Sequence, residues 1–346
     1  MNSNHQKNTE FVVITNLIRI FLRNQQKIER SGKWGLILSA PPAWGKTALI
    51  QSLFSKDSHL NILYISPLKA LALELLEKAR EWEMLEEVLL LKTSSISKKR
   101  ENNSKLYIIT PETLFSQFKD EVEENLFENQ VDLIVIDEFH LFTKWNSFRP
   151  SMDEVLFFLG TSSIPIIHLT ATIDVEENFL YEYYFPSFQD LYYLNLGNFR
   201  LKNAPIISMA INPMFRFFAI FLIKLLLLWF RRIGPILLFV RTRREVDRWV
   251  RWGKYYDINI LGCVGGETQK FIENLKFSPD PRMIVSTSCL SHGVNLPGPR
   301  IVVISYEEKD NALFLQMCGR GGRRDESSFT LFYMGKKRLN GLKMLY

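Results

Sequence analysis

Apolar residues along this chain fall into short runs that alternate with segments of helical periodicity. The runs in the first part of the chain include WGLILSA, LNILYIS, KLYIIT, VDLIVID and IPIIHLT. They lack the polar alternation of a strand with one solvent-facing side, so they predict parallel strands that are buried on both faces. Between them, segments such as LKALALELLEKAREW and PETLFSQF have helical spacing. This alternation predicts a doubly wound α/β domain.

A second series of apolar strands follows residue 200, with the runs GPILLFV, RMIVSTS, PRIVVISY and SSFTLFYMG. The segment 196–205, LGNFRLKNAP, is polar and contains glycine and proline, which is typical of a linker. At 346 residues, the chain is too long for one ordinary core and long enough for two α/β domains. We therefore expect two doubly wound parallel-sheet domains, over residues 1–198 and 199–346.

One apolar run, FFAIFLIKLLLLWF over residues 217–230, has some features of a membrane span. It is flanked by Arg216 and by Arg231 and Arg232, as spanning helices often are. However, it is shorter than the roughly 20 residues needed to cross a bilayer, and Lys224 lies at its middle. We therefore expect a buried helix between two strands, and no membrane as a partner.

The composition is that of a folded globular protein, with 47% hydrophobic and 23% charged residues. A net charge of +6 favours phosphate-rich partners such as nucleic acid, although many soluble proteins are equally basic. Cys263, Cys289 and Cys318 lie far apart without a C-x-x-C pair, which argues against a disulfide framework or a zinc site. The segment FVVITNLIRIFLRNQQ predicts an amphipathic helix rather than a signal peptide. We expect a soluble protein in a reducing, intracellular compartment.

The first candidate for chemistry is SAPPAWGKT, residues 39–47, which follows a predicted strand and precedes a predicted helix. This context is that of a phosphate-binding loop, whose backbone N–H groups face phosphates at a helix N-terminus. The residues expected to form the cradle are Ala43, Trp44, Gly45, Lys46 and Thr47. Lys46 would neutralise β/γ oxygens, and the Thr47 hydroxyl would bind Mg²⁺. Trp44 stands where a small residue is usual, so we expect its indole to pack outside the cradle, for example against the opposing domain.

An acidic pair is the second candidate. The strand VDLIVID leads to Asp137 and Glu138 at its carboxyl end, where α/β sheets bind ligands. We expect Asp137 to hold Mg²⁺ through its water shell and Glu138 to polarise an attacking water. A solvated acidic strand end explains a lone pair of this kind well, but it explains a pair beside a phosphate-binding loop poorly.

A basic segment, QMCGRGGRR over residues 316–324, is the third candidate. Arg320 and Arg323 are three residues apart and would share one face of a helix. Alone, such a segment is more often a solvated basic turn or a phosphate contact. With the two upstream motifs, it favours arginine fingers that a second domain offers to a γ-phosphate.

Together these motifs carry a family resemblance: residues 36–324 resemble superfamily 2 helicases of the DExH kind, most closely the Ski-like group that includes archaeal fork-processing DNA helicases. In order, APPAWGKT is similar to motif I, PLKAL to Ia, TPE to Ib, DEFH to II, TAT to III, LLFVRTRREVDRW to IV, STSCLSHGVNLP to V and QMCGRGGR to VI. One motif is modestly specific, whereas the full set in family order is strongly specific. The resemblance implies two RecA-like domains with the ATP site in the cleft between them.

The resemblance also implies ATP and Mg²⁺ as cofactors and a role for each matching residue. The ATPase site would comprise Lys46, Thr47, Asp137, Glu138, Gln316, Arg320 and Arg323. Gly293 and Asn295 of motif V would lie near the nucleotide or the strand. The residues that couple the site to nucleic acid would be His140, Thr170 and Thr172. Those that grip the sugar–phosphate backbone would be Lys69, Thr110 and Arg241 or Thr242.

The implied function is that of a monomeric ATPase that moves along nucleic acid and separates its strands, with DNA favoured over RNA. Because the chain ends soon after motif VI, the later domains of related DNA helicases have no counterpart in it, and we expect an accessory protein to replace them. One alternative is a translocase or remodeller that separates no strands. Another is a nucleic-acid-binding scaffold without catalysis, although the intact charged residues argue against it.

Overall fold

The computed structural model describes most of the chain, and its described residues form two compact units. Those residues are 11–22, 33–54, 59–83, 85–91, 103–117, 130–145, 149–173, 183–186, 188, 190–201, 205–212, 214, 216–229, 235–278, 280–291, 294, 296, 298–322 and 329–335. The first unit comprises the chain up to Asn198, except Pro41–Ala43. The second unit comprises Pro41–Ala43 and the chain from Phe199 onward. Within the described ranges, no helix is long and apolar enough to cross a membrane.

The first unit is built on a seven-stranded parallel sheet with the order β3-β4-β2-β5-β6-β1-β7. Its strands are β1 Trp34–Ser39, β2 Asn61–Ile65, β3 Glu87–Leu90, β4 Lys105–Ile109, β5 Leu133–Ile136, β6 Ile166–Thr170 and β7 Asp190–Asn195. Every residue of β1, β2, β4, β5 and β6 is buried. The five apolar runs of the sequence therefore form the interior of this sheet, as predicted.

Helices cover both faces of the first sheet. They are α1 over residues 11–22, α2 Lys46–Leu53, α3 Lys69–Ala79, α4 Pro111–Gln117, α5 His140–Trp145 and α6 Pro150–Thr161. Along β1, Leu36 and Leu38 face a core that includes side chains of α1, α2 and α3, while Ile37 faces the core beneath α6. Two separate cores follow from this alternation, because successive side chains of a strand point to opposite faces.

The second unit repeats this architecture on a six-stranded parallel sheet with the order β10-β11-β9-β12-β13-β8. Its strands are β8 Ile207–Ala210, β9 Ile236–Phe239, β10 Ile260–Cys263, β11 Met283–Ser286, β12 Ile301–Ile304 and β13 Thr330–Tyr333. Its helices are α7 Arg216–Trp229, α8 Arg243–Tyr255, α9 Thr268–Phe277 and α10 Asn311–Cys318, with a 3₁₀ turn at Ser288–Ser291. Two doubly wound parallel-sheet units confirm the predicted fold class.

Helix α7 corrects one expectation, because it is not buried between two strands. Its residues Ala219, Ile223 and Leu227 pack in the core of the second unit. The opposite side is open to solvent: Phe217 is 85% exposed and Trp229 is 79% exposed. A helix that is apolar all round can place only one stripe against a single sheet. The hydrophobic run therefore identified the helix but not the extent of its burial.

Candidate nucleotide-binding site

The loop from β1 to α2 forms a turn that is open to an anion. Ala43 has φ of 62° and Gly45 has φ of 118°, so both residues lie in the left-handed region that turns the backbone sharply. Gly45 is the N-cap of α2, and no described side chain caps the helix there. The first N–H groups of a helix lack partners within the helix and attract negative charge. This loop therefore has the backbone geometry of a phosphate cradle.

The indole of Trp44 packs against the first helix of its own unit. It stacks on the Phe11 ring, with the ring centroids 4.8 Å apart and the planes at 23°. Phe11 also approaches the next residue, since a Cβ built on Gly45 would lie 3.3 Å from its ring. The partner of this indole that the structure shows is α1, which the sequence predicted only as an amphipathic helix.

Sheet order brings the acidic pair to the phosphate-binding loop. Asp137 and Glu138 follow β5, and the Lys46 ammonium nitrogen lies 3.9 Å from Asp137 Oδ1 and 3.1 Å from Glu138 Oε1. Glu138 adopts φ of 44°, an uncommon conformation for a residue with a side chain, and its N–H donates to Asp137 Oδ1 at 2.9 Å. Strained backbone of this kind concentrates at functional sites.

Burial dominates the electrostatics of Asp137 and raises the pKa of its carboxyl group to about 6. The Lys46 ammonium opposes this rise, and the negative charge of Glu138 adds to it. Tyr64, near the end of β2, also lowers the pKa of Asp137 by donating a hydrogen bond to it. Sequence reasoning missed Tyr64, since it lies inside an apolar strand and reaches Asp137 only because β2 pairs with β5.

A hydrogen-bonded chain connects the acidic segment to the segment TAT. His140 Nδ1 lies 3.1 Å from Thr170 Oγ1, and that hydroxyl donates to the Thr172 carbonyl at 2.7 Å. His140 Nδ1 is also 3.7 Å from Glu138 Oε2. The structure therefore places these three predicted coupling residues in contact, next to the acidic pair.

Asn198, at the end of the first unit, holds the chain after TAT against the end of β1. Its side-chain oxygen accepts from the Ile173 N–H at 2.8 Å and from Ser39 Oγ at 3.1 Å. Its amide nitrogen donates to the Ile173 carbonyl at 2.9 Å. This residue was read only as part of a polar linker, and its isolated side chain carries no signal for these contacts.

The predicted backbone-gripping residues of the first unit lie near an arginine that sequence reasoning missed. Lys69 is exposed at the start of α3, and Thr110 lies just before α4, with its hydroxyl 3.1 Å from Thr113 Oγ1. Arg149 donates to the Pro67 carbonyl at 2.7 Å and forms an ion pair with Glu112. Arg149 therefore joins the segment PLKAL to the segment TPE.

In the second unit, Arg241 and Thr242 precede α8 and are exposed. The Thr242 side chain caps α8 reciprocally with Glu245, and the Arg241 N–H donates to Glu245 Oε2 at 3.1 Å. This capping box fixes the backbone at both predicted contact residues.

The arginine-rich segment begins inside the second unit. Gln316 is buried in α10, and Arg320 is fully buried. Arg320 Nε donates to the Ser291 carbonyl at 3.2 Å, and its Nη1 donates to the Val294 carbonyl at 2.5 Å. The Arg320 guanidinium thus braces the segment STSCLSHGVNLP, and its role as a finger stays a prediction. Three predicted site residues lie outside the described residues: Gly293, Asn295 and Arg323.

The donor set at the loop suits magnesium held together with phosphate. The Thr47 hydroxyl and the Asp137 carboxylate are oxygen ligands of the kind that Mg²⁺ prefers, and Mg²⁺ commonly completes its shell with substrate phosphates and water. Across the described ranges, no group of three or more His, Cys, Asp or Glu residues could hold a metal. The Thr47 hydroxyl and the Asp137 carboxylate fit Mg²⁺ that is bound together with phosphate oxygens.

The fold and this site define a class: a P-loop nucleotide-binding protein with two RecA-like α/β units. Comparison with known families then identifies it further, since residues 23–179 match the DEAD/DEAH box helicase family and residues 219–325 match the helicase conserved C-terminal domain. The chain therefore carries the N- and C-terminal domains of the DEAD/DEAH helicases of superfamily 2.

Individual relatives agree with this assignment. The "ATP-dependent DNA helicase MER3 homolog" of Oryza sativa subsp. japonica is 30% identical over 93 residues, covering 21% of this chain and 8% of that protein. The chain thus spans a small part of that relative. S. cerevisiae Dbp5 bound to RNA and ADP BeF3 has a TM-score of 0.62 at 15% identity, over 92% of this chain and 82% of that one. Mycobacterium smegmatis Lhr bound to ssDNA and AMP-PNP has a TM-score of 0.62 at 17% identity, over 90% and 45%. At these identities, the solved structures show a shared fold.

Proposed function

We propose that this protein is a nucleic-acid-stimulated ATPase that moves along one strand and unwinds nucleic acid, as a member of the Ski-like DExH group. The observation that carries the proposal is the position of Lys46, whose ammonium lies against both carboxylates at the end of β5. A lysine in this place can exchange its carboxylate partners for the oxygens of a triphosphate.

The residues of the first unit would divide the chemistry between them. N–H groups of the loop would bind the β-phosphate, and Lys46 would offset charge on the β and γ oxygens. Thr47 and Asp137 would hold Mg²⁺, which when bound supplies further neutralisation of the phosphate oxygens. Once Lys46 turns to phosphate, Glu138 would be released to orient the attacking water.

Coupling to nucleic acid would run through His140 and Thr170. A movement of Glu138 would displace His140, which lies near its carboxylate and contacts the Thr170 hydroxyl. Lys69, Thr110, Arg241 and Thr242 would bind the sugar–phosphate backbone without reading sequence. Arg320 and Arg323 would contribute positive charge from the second unit during hydrolysis.

DNA is the favoured substrate, and the proposal includes a monomeric motor assisted by an accessory protein. The motif resemblance to fork-processing helicases supports DNA, as does the rice relative, a DNA helicase. Among the solved structures that share the fold, Dbp5 is bound to RNA and Lhr is bound to ssDNA. Free thiols support an intracellular setting.

The test compares ATP turnover on single-stranded DNA, duplex DNA and RNA, and strand separation on forked substrates. The proposal predicts turnover stimulated most by single-stranded DNA, together with separation of the fork. Strong stimulation without separation would instead establish a translocase. Equal, negligible turnover of wild type and Lys46→Ala on every nucleic acid would establish a scaffold without catalysis.

A further inference from the structure

Two cysteines that are distant in the sequence meet in the second unit. Cys263 ends β10, and Cys289 lies in the 3₁₀ turn that follows the adjacent strand β11. Their sulfur atoms are 3.6 Å apart, and both thiols are free. Parallel pairing of Cys263 with Ser286 brings the end of β10 beside this turn. The sequence argument against a disulfide framework treated these residues as separate, whereas the sheet makes them neighbours.

The two thiols differ in exposure and in hydrogen bonding. Cys263 is buried, whereas Cys289 is partly exposed. The thiol of Cys263 donates to Cys289, Thr287 Oγ1 donates to Cys289 Sγ at 3.4 Å, and Ser286 Oγ lies 3.4 Å from the same sulfur. Donors of this kind stabilise a thiolate, so the pKa of Cys289 lies below its ordinary value, while the pKa of Cys263 is raised.

We propose that Cys289 is an oxidant-sensitive nucleophile and that Cys263 is its resolving thiol. The Cys289 thiolate attacks one oxygen of hydrogen peroxide, the O–O bond breaks and hydroxide leaves, which gives a sulfenic acid. Cys263 Sγ then attacks the Cys289 sulfur, the S–O bond breaks, and the Cys263 proton leaves with the hydroxyl as water. Two thiols lose two electrons and two protons, and peroxide is reduced to two waters.

Little movement separates the two thiols from a disulfide. A disulfide needs its sulfurs about 2 Å apart, so side-chain rotation must close roughly 1.5 Å of the present gap. Cys318 provides an internal contrast, since it is buried within α10 and burial raises the pKa of its thiol. The same oxidant should therefore leave Cys318 reduced.

Bond formation would fix the turn at Ser288–Ser291 to the end of β10. That turn also supplies the Ser291 carbonyl to which the buried Arg320 donates. If Arg320, which this turn holds, contributes to hydrolysis as our proposed function requires, oxidation should slow stimulated ATP turnover severalfold, and dithiothreitol should restore it. This consequence rests on the proposed function, whereas the thiol chemistry does not.

Peptide mass spectrometry tests the chemistry on the full folded chain. Dilute peroxide followed by alkylation should yield a Cys263–Cys289 cross-linked peptide with Cys318 still alkylated. Cys263→Ser should leave Cys289 as a sulfenic acid that dimedone captures, and Cys289→Ser should give neither product. Cys318→Ser is the matched control and should form the disulfide as wild type does. Oxidation of Cys318 at the same rate, or no dimedone adduct in Cys263→Ser, would overturn the proposal.

The two proposals fail in different ways. If the cross-linked peptide forms but turnover is unchanged, the proposed effect of this turn on Arg320 is wrong and the oxidation site stands. If the reduced protein shows no stimulated ATP turnover, the proposed function is wrong. Mass spectrometry of the cross-linked peptide then still tests the oxidation site, because it does not depend on turnover.

Discussion

Charged side chains in the first unit act as a set rather than singly. Lys46 contacts two carboxylates, Asp137 is partly stabilised by Tyr64, and His140 lies between Glu138 and Thr170. Changing one member alters the charge balance of the others, because buried charges depend on specific partners. Substitutions that keep shape and remove charge are therefore the informative ones at this scale.

Glu138→Gln should separate nucleotide binding from hydrolysis. The amide keeps the size of the side chain but can no longer polarise a water, so stimulated turnover should fall by about 10²- to 10³-fold. Nucleotide binding, followed with a fluorescent ATP analogue, should stay near that of wild type. Asp132→Asn, at the opposite end of β5 from Glu138, is the control for loss of an acidic side chain. Turnover that survives in Glu138→Gln would remove the general-base role.

His168 predicts acid sensitivity of the fold. It is fully buried in β6 between the rings of Phe139 and Phe185, and burial, with the nearby charge of Lys33, lowers its pKa to about 3. The pKa of a histidine in the unfolded chain is about 6.5. Below that pH, the unfolded chain binds a proton at this histidine and the folded chain does not, so the free energy of unfolding falls as pH falls from about 6.5 toward 3.

His168→Leu should remove this contribution. Between pH 7.5 and pH 5, it should lose about 2 kcal/mol less free energy of unfolding than wild type does. Urea denaturation at each pH measures the difference. His59→Gln, at an exposed position, is the control for a histidine substitution. Identical pH dependence of wild type and His168→Leu would contradict the assignment.

Among the helices and strands, some elements could be predicted from the sequence and others could not. The interior strands were predictable, since burial on both faces demands continuous apolar residues. The strands β3, β7, β8 and β10 were not, because β7 for example has exposed Tyr192 and Tyr193. Motifs predicted Lys46 and the acidic pair. Tyr64, Arg149 and Asn198 act through neighbours that only the strand order supplies, so no local pattern marks them.

The two sides of α7 should respond differently to truncation. Leu227 is fully buried, so Leu227→Ala should lower the free energy of unfolding by about 2–5 kcal/mol. Phe217 is 85% exposed, so Phe217→Ala should change it by only about 0.5 kcal/mol. Thermal and urea unfolding of both variants provide the measurement. A large loss for Phe217→Ala would mean that this face is covered in solution.

Arg320 should contribute to stability as well as to catalysis. Its guanidinium is fully buried and donates to two carbonyls of the segment after β11. Arg320→Gln should therefore destabilise the protein by about 2–4 kcal/mol, because hydrogen bonds from a charged group are lost. Equal unfolding midpoints of wild type and Arg320→Gln would show that these two hydrogen bonds contribute nothing to stability.

Arg323→Ala should reduce stimulated ATP turnover severely, while nucleotide binding stays near that of wild type.

For the whole molecule, the net charge of +6 favours association with nucleic acid, whose phosphates are negative. If binding relies on phosphate contacts, affinity should fall steeply as salt rises from about 50 to about 200 mM. Lys69→Ala should weaken binding to all sequences alike and reduce the slope of log affinity against log salt by about one. Fluorescence anisotropy with labelled single strands measures both. An unchanged slope would place Lys69 away from the nucleic acid.

The stacking of Trp44 on Phe11 has an optical consequence. Indole emission depends on the polarity and the rings around it, and this indole is attached to the backbone that turns at Ala43 and Gly45. A shift of that backbone when phosphate enters changes the overlap of the two rings. The Trp44 indole is thus a fluorophore at the loop where nucleotide would bind, and the difference in emission between wild type and Phe11→Leu would measure the effect of this stacking.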